Sequence, residues 1–256
     1  MFDSQEIATL VREYRLALEP SPDQEHSIRA LDLLDSEKGQ SYLTKFGPVF
    51  ETTSDTAIVS LFAKKYSYLM VASTLYAMSV FRKAIDYSLE NSYVESYFRG
   101  DIWLPEVRFN PQKLLVLGQE GDHVWRDQVI YNLFAGNLSR VWTALRLYTP
   151  ISKAVLWENT ATCVYSLYET KFRDNLDSVA EARLHQDYQY LIEEAPAHLF
   201  GESYNPLTRF NTAKCITTAS DTPLRIRKTC CYSYLASDDP EDYCSICPKI
   251  KHEKLT

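Results

Sequence analysis

The sequence predicts an α+β fold that is mostly helical, with a small antiparallel sheet and a C-terminal cysteine-rich module. Three observations lead to this prediction. Apolar residues recur every three or four positions over most of the chain, and a short central segment is rich in β-branched and aromatic residues. Four of the six cysteines lie within residues 230–247. We expect two domains, a helical α+β body over 1–220 and the cysteine module over 221–256.

The first part of the chain is predicted to be helical. Apolar residues spaced by three and four positions over 7–18 indicate an amphipathic helix, and a second, short helix is predicted over about 25–34. The segment 55–87 contains few helix breakers, and either Thr53 or Ser54 can cap its start. We expect this segment to form the centre of the core.

The remaining elements follow from changes in the hydrophobic pattern. Between 93 and 117, aromatic and β-branched residues broken by glycine and proline predict short strands of a small antiparallel sheet. Helical spacing returns over 122–147, 151–168 and 178–194. The segment 198–224 has little periodicity, and we expect it to connect the helical body to the cysteines.

Composition excludes several functional classes. The formal net charge is −7, and the sequence contains no lysine and arginine stripe interleaved with aromatic residues, so nucleic acid is a poor candidate partner. The uncharged stretch 66–81 has 16 residues and several hydroxyl side chains, whereas a membrane span requires about 20 apolar residues. Residues 1–21 contain no apolar run typical of a signal peptide. We therefore expect a cytoplasmic protein without a membrane span.

The cysteine arrangement is typical of a metal site. Cys230 and Cys231 are adjacent, and Cys244 and Cys247 form a Cys-x-x-Cys pair. Four thiolates can surround one tetrahedral zinc ion or a pair of sulfide-bridged irons. Neighbouring side chains of an extended strand point to opposite faces, so adjacent cysteines can bind one centre only where the chain turns.

Three other interpretations of the cysteines are weaker. Packing as small apolar residues does not explain why four of them cluster, and disulfides require an oxidising compartment for which the sequence shows no signal. A redox-active Cys244 and Cys247 pair is expected beside a strand-turn-helix unit, whereas here Pro248 follows near the chain's end. A zinc ion and an iron-sulfur cluster both remain open. Cys163 fits a helical core position, and Cys215 has no assigned role.

The cysteine run, with two segments before it, resembles the FhuF-like ferric siderophore reductases. That family has Cys-Cys, a spacer and Cys-x-x-Cys holding a [2Fe-2S] cluster. The stretch Ala154-Val155-Leu156-Trp157-Glu158-Asn159 is similar to its Leu-Trp-x-Asn helix, and Asn205-Pro206-Leu207 to its Asn-Pro-Leu motif. The resemblance covers about 55–248. The spacer departs from the pattern, because twelve residues separate the pairs here and ten are usual in the family.

The resemblance implies a reductase of ferric siderophores. Cys230, Cys231, Cys244 and Cys247 would bind a [2Fe-2S] cluster, which passes one electron to the Fe(III) of a chelate bound by the 1–220 domain. Hard hydroxamate oxygens hold Fe(II) far more weakly than Fe(III), so reduction releases the metal into the cytoplasm. Net negative charge favours neutral or cationic hydroxamates over anionic chelates as substrate.

The resemblance also implies partners and further site residues. The sequence contains neither G-x-G-x-x-G nor a P-loop, so we expect electrons from a ferredoxin-like or other protein donor. Peripheral association with an uptake system is compatible with this role. Trp157 and Asn159 are candidate substrate contacts, although a tryptophan at this position also fits a helix core. Arg225, Arg227 and Lys228 precede the cysteines and are candidates for tuning the cluster potential or docking an acidic donor.

Two other functions remain open from the sequence. The first is a non-catalytic interaction domain with a structural zinc site formed by the same four cysteines. The second is a plain electron carrier, although a carrier does not require so large a helical body. Related domains also occur in ATP-dependent siderophore synthetases, but this chain contains no phosphate-binding loop.

Overall fold

Helices form most of the molecule, and the α+β class predicted from the sequence is confirmed. A computed structural model describes residues 2–109, 123–174, 176–217 and 220–250. Its helices are α1 (Ser4–Tyr14), α2 (Ser36–Thr44), α3 (Phe46–Val49), α4 (Asp55–Tyr76), α5 (His123–Leu133), α6 (Ser139–Leu145), α7 (Lys153–Glu169), α8 (Ser178–Gln189) and α9 (Pro206–Phe210). Its strands are β1 (Leu16–Ala17), β2 (Asp23–Arg29), β3 (Ser92–Ser96), β4 (Phe98–Arg99), β5 (Ile102–Trp103), β6 (Glu106–Phe109), β7 (Cys215–Thr217) and β8 (Ser220–Leu224).

The small sheet predicted in the central segment has four strands in the order β1-β6-β3-β2. β3 pairs antiparallel with both β2 and β6, and the short strand β1 adds a parallel edge on β6. Two separate hairpins, β4–β5 and β7–β8, complete the strands. Residues 110–117, where the strand prediction continues, lie outside the described residues.

The core is built on α4, as the sequence predicts. The side chain of Ser54 accepts a hydrogen bond from the N–H of Ala57, which makes Ser54 the cap of this helix. Buried residues occupy nearly every face of α4, because the helix is covered by neighbours on all sides. α7 packs against it, with Ser67 and Thr160 hydroxyls 2.9 Å apart at the buried interface. The segment from α5 to α6 and the helix α8 also confirm the predicted helical stretches.

Three local predictions are wrong. The helix predicted over 25–34 is wrong in its first half, because residues up to 29 belong to β2, whose pairing with β3 overrides the local spacing, and only residues 30–34 form a short 3₁₀ helix. Arg15 adopts φ 55°, which ends α1 at Tyr14 rather than at 18. The segment 198–224 is more ordered than a connector, since it contains α9 and the β7–β8 hairpin.

Within the described ranges, no helix is both long enough and apolar enough to cross a membrane.

Candidate functional site

A cavity of about 720 Å³ lies between α4, α7 and the segment that contains the cysteines. We call it the cysteine cavity; its walls are formed by Lys64, Tyr68, Asn159, Thr162, Cys163, Ser166, Leu167, Thr170, Lys171, Asp174, Arg227, Cys231, Cys244 and Ile246. One cysteine of each predicted pair, Cys231 and Cys244, therefore faces the same space. Its volume falls within the range of about 300–1,000 Å³ that is usual for small-molecule sites.

The chain turns sharply at the first cysteine pair. Tyr232 adopts a left-handed conformation with φ 60°, and its N–H donates a hydrogen bond to Cys230 Sγ over 3.4 Å. Cys231 is buried while Cys230 is half-buried. The turn that two adjacent cysteines require in order to approach one centre is thus present.

Thiolate sulfurs are good metal ligands, and the distance between two of the four sulfur atoms matches one edge of a tetrahedral metal site. Cys231 Sγ and Cys244 Sγ are 3.8 Å apart. Two thiolates bound at about 2.3 Å to one tetrahedral metal are separated by about 3.8 Å. Among the residues described, no group of three or more His, Cys, Asp or Glu side chains is close enough to hold a metal ion. The structure thus brings two of the four sulfurs to ligand spacing, and four cysteine thiolates would suit a [2Fe-2S] cluster or zinc equally.

The cation beside these sulfurs is Lys64 of α4. The thiol of Cys244 hydrogen-bonds the sulfur of Cys231, and this bond together with the nearby Lys64 ammonium lowers the pKa of Cys231. The same bond and burial raise the pKa of Cys244. A thiolate at Cys231 is therefore favoured, which is the ligand form that metals require.

Glu158 of α7 fixes the start of the cysteine module. Its carboxylate accepts hydrogen bonds from the backbone N–H groups of Lys228 and Thr229, at 2.6 and 2.7 Å, and from the Thr229 hydroxyl. The Arg227 guanidinium lies 3.8 Å from the same carboxylate. Glu158 is only 3% exposed, so a buried charge is compensated by several donors just before Cys230.

Asn159 connects α7, α4 and the cysteine module. Its amide nitrogen donates to the Ser60 carbonyl and hydroxyl oxygens over 3.2 and 3.1 Å, and its Oδ1 accepts from Arg227 Nη2 over 2.8 Å. The Ser60 hydroxyl in turn donates to the Cys231 carbonyl over 2.7 Å. Asn159 lines the cysteine cavity, and its hydrogen bonds hold the wall that contains Cys231. A substrate contact at this residue stays a prediction.

Trp157 lies in the core and does not line the cavity. Its indole is completely buried, in contact with Phe134 and Phe200, and its N–H donates to Glu202 Oε1 over 3.0 Å. The structure thus corrects the prediction of a substrate contact at this residue, because α7 turns the indole toward the helical body.

The three basic residues before the cysteines have structural contacts. Arg225 pairs with Glu169 over 2.8 Å and lies over the Tyr165 ring. Arg227 is 6% exposed, and its backbone N–H donates to the Ile246 carbonyl over 3.0 Å, which ties together the two ends of the module. The Lys228 ammonium donates to the Arg209 carbonyl over 2.6 Å. Their proposed roles in tuning or donor docking stay predictions.

The twelve-residue spacer is folded against the body. It begins with a single 3₁₀ turn, Ser233–Ala236, whose Leu235 carbonyl accepts a hydrogen bond from the Thr52 hydroxyl over 2.6 Å. Lys249 lies 3.9 Å above the Tyr234 ring. The acidic residues of the spacer, Asp238, Asp239, Glu241 and Asp242, are exposed. With twelve residues the spacer reaches the loop before α4 and returns to Cys244.

The Asn-Pro-Leu motif has a structural role here. Asn205 caps α9 by accepting from the N–H groups of Leu207 and Thr208, and Pro206 occupies the first turn. The Asn205 amide also donates to the carbonyls of Leu191 and Ala195. Cys163, assigned to the core from the sequence, packs against it and also lines the cavity, where burial raises its pKa to about 12.

Comparison with known families covers the body of the chain and not the cysteines. Residues 60–217, more than half of the chain, match the family described as ferric iron reductase FhuF-like transporter. The chain belongs to the FhuF-like family. No curated protein sequence matches it significantly. The family match includes the Asn159 and Asn205 motifs but ends before Cys230. Family membership supports a ferric iron reductase type of role and leaves the cysteine ligands to be assigned from the site itself.

Three residues of the site were not predicted from the sequence. Glu158 lies within the 154–159 motif, but its hydrogen-bond partners lie about 70 positions further along the chain. Lys64 and Ser60 are one helical turn apart on α4; Ser60 hydrogen-bonds the Cys231 carbonyl, and Lys64 lines the cavity with Cys231. The local signal for these residues is weak, namely a charge and a hydroxyl within otherwise apolar helices.

Proposed function

We propose that this protein reduces the Fe(III) of a siderophore bound in the cysteine cavity and so releases Fe(II) in the cytoplasm. The observation that supports this most strongly is the position of Cys231 and Cys244 in the cavity wall. A molecule in the cavity would lie directly against Cys231 and Cys244, two of the predicted cluster ligands. The family-level role as a ferric iron reductase is consistent with this arrangement.

Cys230, Cys231, Cys244 and Cys247 would hold a [2Fe-2S] cluster, which supplies one electron to the ferric substrate when it is bound. The alternative, a structural zinc site, is less consistent with a reductase because Zn²⁺ has no redox chemistry. Glu158 and Asn159 would keep the thiolates at the cavity wall. Lys64 would offset their negative charge. The sequence alone indicates Arg225, Arg227 and Lys228 as candidates for this role.

The charges around the cavity favour a substrate without a large net charge. Lys171 forms an ion pair with Glu13 over 2.7 Å and also interacts with the nearby carboxylate of Asp174, and Arg227 is compensated by Glu158 and Asn159. Lys64 faces the thiol pair. Three hydroxamates bound to Fe(III) give a neutral complex, so a trihydroxamate siderophore suits this wall better than a strongly anionic chelate does. A ferredoxin-like or other protein donor would return the electron.

The experiment is anaerobic purification followed by a visible spectrum and analysis of iron, zinc and sulfide. We expect a brown protein with about two irons and two sulfides per chain. Cys231→Ser should lose most of this iron, whereas Cys215→Ser, which changes a cysteine of β7, should retain it. Stoichiometric zinc without iron would favour the structural zinc site and reject the reductase mechanism.

A further inference from the structure

A second cleft of about 290 Å³ lies beside the cysteine cavity. We call it the hairpin cleft; its walls are Glu158, Thr162, Tyr165, Ser166, Glu169, Thr170, Phe210, Lys214, Pro223, Leu224, Arg225, Ile226, Arg227 and Ile246. Five residues, Thr162, Ser166, Thr170, Arg227 and Ile246, line both spaces. The two spaces are therefore neighbours, and one ligand can extend from one into the other.

The common wall is formed by α7 and by a ridge of two residues. Thr162, Ser166 and Thr170 are spaced by four positions along α7 and its end, so their hydroxyls lie on one face. Arg227 and Ile246 form the ridge, held by the hydrogen bond from the Arg227 N–H to the Ile246 carbonyl. Ser166 and Thr170 are exposed, so the passage between the two spaces is open to a ligand.

The hairpin cleft is chemically different from the cysteine cavity. Phe210, Pro223, Leu224, Ile226 and Ile246 give it an apolar wall. Its charged groups are matched, since Glu169 pairs with Arg225 over 2.8 Å and with Lys214 over 2.7 Å. A neutral, apolar group would therefore give up few water contacts on entering, whereas a charged group would find no free partner among the described residues of this wall.

We propose that the hairpin cleft binds the apolar arm of a siderophore whose ferric head occupies the cysteine cavity. The placement of the ferric head in the cysteine cavity rests on the proposed function above. The placement of the apolar arm rests on the shape and chemistry of the hairpin cleft. A volume of 290 Å³ accommodates about ten water-sized groups, which matches a medium acyl chain. The substrate class is therefore an acylated hydroxamate chelate rather than a compact one.

The test uses two gallium(III) complexes of one linear trihydroxamate, N-acetylated in the first and N-octanoylated in the second. Ga(III) has the charge of Fe(III) but is not reduced, so calorimetry measures binding alone. Each methylene that enters the cleft strengthens binding about fourfold. We expect the holoprotein to bind the octanoyl complex at least tenfold more tightly than the acetyl complex.

Variants locate this preference. Leu224→Trp and Ile226→Trp fill the cleft and should reduce the preference to less than twofold, while their unchanged affinity for the acetyl complex shows that they are folded. Ile216→Trp, on the same hairpin and 40% exposed, should keep the full preference. Equal affinities in the wild type, or a preference that survives both cleft variants, would overturn the proposal.

The outcomes separate this proposal from the reductase function. If the ferric acetyl complex oxidises the reduced protein and chain length has no effect on binding, only the cleft assignment is wrong. If chain length controls gallium binding but neither ferric complex is reduced, the cleft assignment stands and the reductase function fails.

Discussion

Glu158 is the single residue that does most to position the cysteines. It is buried on α7, and it accepts hydrogen bonds from two backbone N–H groups and one hydroxyl that immediately precede Cys230. A buried N–H that loses its acceptor costs about 1–3 kcal/mol. The carboxylate therefore links the stability of the helical body to the geometry of the thiolates.

Replacing Glu158 should weaken both properties. We expect Glu158→Ala to lower the free energy of unfolding by about 1–3 kcal/mol in urea, because two N–H groups lose their acceptor. It should also release its metal to a chelator at least several-fold faster than the wild type. Glu181→Ala, whose side chain is 62% exposed, serves as the control and should change neither value. Wild-type unfolding and metal release in Glu158→Ala would refute the positioning role.

The 154–159 motif shows how much a short sequence pattern can predict about single residues. The segment 154–159 indicated the correct helix and the correct neighbourhood, and Asn159 does line the cavity. It did not reveal which side chain faces which way. Trp157 points into the helical body and Glu158 points to the cysteine module. The packing of α7 between the body and the module sets these directions, and the contacting residues of both are remote in sequence.

At the scale of elements, α7 organises the site. It packs on α4, lines both the cysteine cavity and the hairpin cleft, and ends at Glu169, which holds the β7–β8 hairpin through Arg225 and Lys214. Burial opposes ionisation of Glu169, but hydrogen bonds from Arg225, Lys214 and Tyr188 outweigh it and lower its pKa to about 2. The hairpin is thus tied to α7 by a carboxylate that must remain charged.

This ion pair predicts a dependence of stability on pH. The folded pKa of Glu169 is about 2 and its ordinary value is 4.5, so its stabilising contribution is full above about pH 4.5 and is lost as pH falls toward 2. We expect the wild type to lose about 1–2 kcal/mol more than Glu169→Gln between pH 6 and pH 3, measured by urea unfolding. Glu90→Gln, at an exposed position, should lose as much as the wild type. Equal losses in wild type and Glu169→Gln would exclude this contribution.

Elements with strong local signals were predicted well, and those that depend on remote pairing were not. α4 and α7 have long apolar patterns and capping serines, Ser54 and Ser152, that accept hydrogen bonds from the first turn. The local pattern of β2 predicts a helix, because its partner strand β3 lies more than 60 residues away and leaves no local signal. The β7–β8 hairpin was missed for a related reason, since its position is determined by Glu169 and α7.

For the whole molecule, the helical body and the cysteine module form one continuous site. The boundary predicted between 220 and 221 falls within β8, and the two-domain division stays a prediction. The FhuF-like family could be predicted from the sequence, because the clustered thiols and the motifs before them are local signals. The role of the four cysteines as ligands stays a prediction. The cavity could not be predicted, since it exists only where α4, α7 and the returning module meet.

The most direct measurement is a titration of the reduced protein with a ferric trihydroxamate under anaerobic conditions, followed by visible absorption. If Cys231 and Cys244 hold a redox cluster at the cavity wall, the spectrum of the oxidised cluster should return in proportion to the chelate added. Ferrous iron should appear in equal amount, trapped by a colorimetric chelator. A reduced cluster that persists in the presence of excess ferric trihydroxamate would contradict the account.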